Sequence, residues 1–216
     1  MFVDPSCPWA WITSRWIKEV APRRDLVVTW RSFCLEIRDD YGVAATMPEH
    51  RREAALAAHA LSHRMLRIFE AVRDRAGEQA VDALFTEWGV RFFGDGPRDD
   101  ALLAQCLAAC RLDADLVGAA DDDAWDAPIV VAMDVAYLFG GHKTQTPTIV
   151  VRVDPPHGFK GPVMAPAPTG DAAVRLWDAI EVVAEEPGFF EITRPRANKP
   201  RPPSLASSPS ESATHH

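Results

Sequence analysis

The 216-residue chain has no excess of basic charge: 23 Lys and Arg against 31 Asp and Glu leave a net charge of −8. An acidic body repels phosphate instead of releasing its counterions, which argues against a nucleic-acid or anionic-membrane binder. No apolar run approaches the ~18–20 residues of a membrane span. Met1 leads straight to Asp4 and Pro5, without the charged and apolar regions of a signal peptide. The expected compartment is therefore the cytoplasm. Neither GxGxxG nor a P-loop occurs, so no integral nucleotide cofactor is expected. Cys7, Cys34, Cys106 and Cys110 include no CxxC pair, and in a chain of this length without a secretion signal they make no disulfide framework. What is present, 47% hydrophobic residues, suffices for a folded core.

Phe2 and Val3 form a short strand stub, Asp4-Pro5-Ser6 a turn, and 8–20 a helix. Trp9, Ile12, Trp16, Ile17 and Val20 recur at three- and four-residue spacing along it, which makes a buried stripe. Residues 26–35 (LVVTWRSFCL) are β-branched and aromatic and predict a second strand. From about 48 to 112 the pattern is helical, with a Gly/Pro/Asp break at 94–100, and another helix is expected over 123–138. Strand signal returns at 147–153 (PTIVVRV), followed by a turn at 154–158 and a short strand near 159–163. Thr169-Gly170-Asp171 opens a last helix carrying Ala173, Leu176, Trp177, Ile180 and Val183. Residues 194–216 are rich in Pro, Ser and charge and are expected to form a disordered tail; His215-His216 resemble an appended tag. This order predicts an α/β, thioredoxin-like fold with an inserted all-helical domain: residues 1–44 and 144–193 for the discontinuous α/β part, 45–143 for the insertion.

The chemistry is concentrated in DPSCPWAWITSRW, residues 4–16. Cys7 immediately precedes Pro8, a residue suited to the first helical turn. A cysteine there has unpaired helix N–H groups and the positive end of the helix dipole directed at its sulfur. Such a setting favours thiolate and brings a cysteine pKa down to about 3.5–7.5, so Cys7 is the candidate nucleophile; the alternative is an inert buried thiol. Cys106 and Cys110 share one face of an Ala/Leu-rich helix and are expected to pack. His59 and His63 are four apart but lack the HExxH glutamate and an evident third ligand, so no metal site is assigned. Of the tryptophans, Trp9 and Trp11 are expected to face a crevice.

The segment 4–20 resembles the active-site segment of the DsbA-like thioredoxin superfamily. The match is nearest to the actinobacterial mycothiol-dependent nitroreductase branch, whose members carry DPxCPWCWITSRW. TPTIVV at 146–151 is similar to that family's Thr-cisPro loop, and 170–194 to its final helix and C-terminal segment. The resemblance implies that Cys7 is the nucleophile, that Pro8 and Trp9 tune it, and that Pro147 is a cis-proline. Thr146 would then offer its backbone to a bound thiol substrate. No bound cofactor is implied; mycothiol or a similar small thiol is the expected co-substrate, with a small-molecule or disulfide substrate as the other partner. Family members have several strand residues before the DP turn, and three are short for a central strand, so either the start lies upstream of Met1 or the sheet tolerates truncation with lowered stability.

Ala10 stands where the family has the second cysteine of CPWC. A dithiol site releases its mixed disulfide by attack of that second sulfur, and this step is lost here. Three routes remain open: monothiol catalysis by Cys7 with an external thiol as reductant; resolution by Cys34, near the carboxyl end of the second expected strand; or loss of redox turnover in favour of thiol binding, transfer or isomerisation. A homodimer is compatible with all three.

Overall fold

The computed structural model describes residues 1–38, 47–151, 155–196 and 198–202. The expected domain boundary at 44/45, strand residues 152–153, Asp154 of the expected turn, and 203–216 lie outside them. Strand β1 (Phe2–Val3) is followed by helix α1 (Pro8–Val20), a 3-10 turn at Ala21–Arg23, and strand β2 (Arg31–Ser32). Four helices follow: α2 (Glu49–Ala76), α3 (Glu78–Phe92), α4 (Ala101–Ala109) and α5 (Asp126–Gly140), with 3-10 stretches at Ala114–Asp121 and Asp123–Trp125. Strands β3 (Thr148–Val151) and β4 (His157–Lys160) and helix α6 (Gly170–Glu185) complete the order.

The sheet runs β2-β1-β3-β4, with β1 parallel to β2 and antiparallel to β3, and β3 antiparallel to β4. Its short β1 is reinforced beyond the ladder. The Met1 ammonium donates to the Thr29 carbonyl at 2.8 Å, Arg31 N–H to the Met1 carbonyl at 2.9 Å, and Phe33 N–H to the Val3 carbonyl at 3.0 Å. Two of the expected strands are corrected here. Only Arg31–Ser32 of the stretch 26–35 is strand, because β1 is its sole sheet neighbour and offers two residues to pair; Val27 is left 93% exposed. The second hairpin strand is His157–Lys160 and not 159–163, because Gly161 and Pro162 leave the ladder to bond back to the cis-proline loop and α1.

Helix α1 packs on α6, where Trp16 donates its indole N–H to the Ala173 carbonyl at 3.0 Å. Helix α5 lies against all four strands. One continuous core joins β1, α1, β3 and α6 to the helical block, including Met65, Phe69, Phe85, Trp88, Leu103 and Met133. Trp11 belongs to this core and not to a crevice: it is 1% exposed, stacks on Phe93, meets Phe85 edge-on and lies under the Arg15 guanidinium at 4.0 Å. No helix among the described residues is long and apolar enough to cross a membrane.

Candidate active site

Helix α1 begins as its sequence dictates: Pro8 occupies the first turn and Cys7 is the N-cap, with extended backbone at φ −79° and ψ 111°. Cys7 N–H donates to the Asp4 carbonyl at 3.0 Å, closing the turn that the Asp4-Pro5-Ser6 sequence predicts. From α3, Trp88 donates its indole N–H to the Pro5 carbonyl at 3.0 Å and holds that turn from the helical side. The loop before β3 faces the same turn. Thr146 Oγ1 accepts from Asp4 N–H at 3.1 Å and donates to the Phe2 carbonyl at 3.2 Å. Its own carbonyl accepts from the Cys7 thiol at 3.5 Å. The Thr146–Pro147 peptide is cis, as are Gly161–Pro162 and Ala165–Pro166. Cys7, Pro8, Trp9, Ala10, Thr146 and Pro147 therefore come together around one turn and one loop.

Asp4 is the hub beneath them. It is 1% exposed, and its carboxylate accepts from Ser6 N–H (2.7 Å), Ser6 Oγ (2.6 Å), Ser62 Oγ of α2 (2.6 Å) and Leu35 N–H (2.7 Å). A buried carboxylate so fully bonded fastens the turn, α2 and the chain after β2 to one point. Sequence reasoning used Asp4 only as a turn residue; its two-residue spacing to Ser6 was the signal available, while the Ser62 and Leu35 partners are set by the fold.

The electrostatics of Cys7 differ from expectation. The residue is 8% exposed, and burial pushes the thiol up to about 12. The N–H groups of Ala10 and Trp9 act in the other direction, as the helix start predicts, and Arg196 adds to them; Asp4 opposes them. Desolvation of the anion is the largest of these effects, so the resting group is a protonated thiol. Neither of two open surface concavities, about 400 Å³ beside Arg23 and Asp171 and about 640 Å³ beside Glu36 and Leu56, is lined by Cys7.

Cys34 is fully buried, its N–H 3.5 Å from the Met133 sulfur, and burial raises its pKa as well, with Asp4 contributing. Cys106 is fully buried in the core, with its thiol pushed up to about 12, and all four cysteines are free. His63 bridges Glu36 and Asp126 at 2.7 Å each, while Arg67 also grips Asp126; this pair of contacts ties α2 to α5. Within the expected tail, Arg196 and Asn198 touch the body. The Arg196 guanidinium sits 5.2 Å from the Trp9 ring centroid, and Asn198 donates to the Ala165 carbonyl at 2.8 Å. Composition reports that such a segment has no core of its own, not that a neighbour will hold it.

This architecture is a DsbA-like, thioredoxin-like fold with a helical insertion. A probable DsbA oxidoreductase from Streptomyces coelicolor shares the fold with a TM-score of 0.53 at 19% identity, over 88% of this chain and 92% of that one. Residues 6–194 match the Rv2466c-like family, described as mycothiol-dependent nitroreductase Rv2466c, and the chain belongs to that family. It is also 28% identical over 196 residues to Rv2286c of Mycobacterium tuberculosis, described as uncharacterised, covering 90% of this chain and 80% of that protein.

Proposed function

We propose that the protein is a thiol-dependent oxidoreductase that acts through Cys7 alone. The Cys7 thiolate attacks a disulfide substrate, forming a mixed disulfide and expelling the other half as a thiol. An external small thiol, mycothiol by family, attacks that mixed disulfide in turn, leaving with its partner sulfur and returning Cys7 reduced. The observation that carries this reading is the joint placement of Cys7 at the α1 N-cap and against the Thr146 carbonyl, with buried Ala10 one turn on, where internal release would need a second thiol. Cys34, buried and held protonated, lacks the thiolate character and access of a resolving group. The cytoplasm, where small thiols stay reduced, is the compartment this cycle needs.

The 8% exposure of Cys7 and its raised pKa mean that substrate must uncover the sulfur before it ionises. The same observation favours a second reading, in which the site binds a small thiol for transfer or isomerisation without redox turnover. Turnover separates the two. With mycothiol as reductant and a low-molecular-weight disulfide as substrate, Cys7→Ser should lower the rate by about 100-fold or more, whereas Cys34→Ala should stay within about twofold of wild type. Equal losses in both would establish Cys34 as the resolving group, and an undiminished Cys7→Ser rate would remove the proposal.

A further inference from the structure

Three cations are held by residues at or next to the Cys7 turn and the Thr146-Pro147 loop, and none has a carboxylate partner within ion-pair distance among the described residues. Arg38 is the unusual one. It is 8% exposed, follows β2 on the segment that Asp4 anchors at Leu35, and has a buried Nε with no hydrogen-bond partner. Among the described residues its terminal nitrogens reach the neutral amide of Gln145, whose oxygen accepts at 3.3 and 3.1 Å in the orientation these bonds require. Gln145 directly precedes Thr146, so this guanidinium braces the loop that faces Cys7. A buried guanidinium without an anion is costly to retain.

Lys160 ends β4 opposite Thr148, and the next residue, Gly161, donates its N–H to the Pro147 carbonyl at 2.8 Å. This places Lys160 at the far side of the same loop. Arg196 covers Trp9, two residues from Cys7. Lys160 feels the other two: its pKa is lowered first by burial, then by Arg38 and Arg196, with Glu191 opposing. Outside residues 194–216, which hold four basic residues against Glu211, the chain carries −11, so this local concentration of cations runs against the charge of the body.

We propose that Arg38, Lys160 and Arg196 form an anion-binding subsite beside Cys7 that takes the carboxylate or phosphate of a small acidic substrate. The proposal rests on the thiol reading above and gives it a substrate class. Arginine suits the role because its planar fork meets either group through two parallel hydrogen bonds, and here an unused N–H is already present. An arriving anion also offsets the repulsion that Arg38 and Arg196 exert on Lys160.

Calorimetric titration of the full chain with benzoate, with inorganic phosphate and with neutral benzamide tests this. At least one anion should bind about tenfold or more tightly than benzamide, and the tighter of the two identifies the group preferred. Arg38→Gln, Lys160→Gln and Arg196→Gln should each weaken that anion by about threefold or more. Lys160 and Arg196 are exposed, so their variants decide the matter even where Arg38→Gln fails to fold. Benzamide binding as tightly as both anions, or anion binding unchanged in Lys160→Gln and Arg196→Gln, would overturn the subsite. Cys7→Ser should bind the anion as wild type does, so a failure of the thiol chemistry and a failure of the subsite are read in separate experiments.

Discussion

Asp4 shows how one side chain serves both stability and reactivity. Its four donors come from the turn, from α2 and from the chain after β2, while its charge helps to hold the proton on Cys7. Asp4→Asn exchanges one acceptor oxygen for a donor that faces other donors, and should cost about 2–4 kcal/mol of stability. The same change removes a negative charge near the sulfur, so alkylation of Cys7 should be faster than in wild type at equal pH. Urea unfolding and iodoacetamide kinetics read the two effects, and a slower alkylation would contradict the assignment. At this scale Cys7, Pro8 and Ala10 were legible from the sequence because a helix start is a local event. The state of the Cys7 thiol was not, since it depends on desolvation by partners as distant as Thr146, 139 positions away.

Among the elements, α1 was predicted to the residue, from Pro8 to Val20, because proline marks its start and the apolar stripe its length. The strands were longer in the sequence than in the fold, since β-branched composition reports what a segment tolerates while pairing depends on its neighbour. Packing between α1 and α3 was also hidden. A Cβ built on Gly89 of α3 would lie 2.1 Å from Trp11 Cζ3, so only glycine lets the indole of α1 enter between Phe85 and Phe93. Gly89→Ala gains helix propensity but must displace a buried ring, and the net loss should be about 1–3 kcal/mol. Thermal unfolding checks this; an unchanged or raised Tm would show that Trp11 has another place to go.

For the whole molecule, the order β-α-β, helices, β-β-α was legible, and the contacts of Arg196 and Asn198 with the body were not. Stability also has a collective pH dependence. Burial raises Cys7 and Cys106 from about 9 to about 12, so between those values the unfolded chain loses these protons while the folded chain keeps them. Their contribution is therefore full below about pH 9 and declines as pH rises, by about 1.4 kcal/mol per pH unit for each thiol. Urea unfolding at pH 8 and pH 10 should show this fall, shallower in Cys7→Ser; equal slopes would contradict the raised Cys7 pKa. The most direct test of single-thiol chemistry is the intact mass of the protein after incubation with oxidised mycothiol and then with reduced mycothiol. The account predicts one mycothiol adduct, mapped to Cys7, that persists until reduced mycothiol is added and then disappears. No adduct, or its spontaneous replacement by a Cys7–Cys34 disulfide two mass units below the reduced chain, would contradict it.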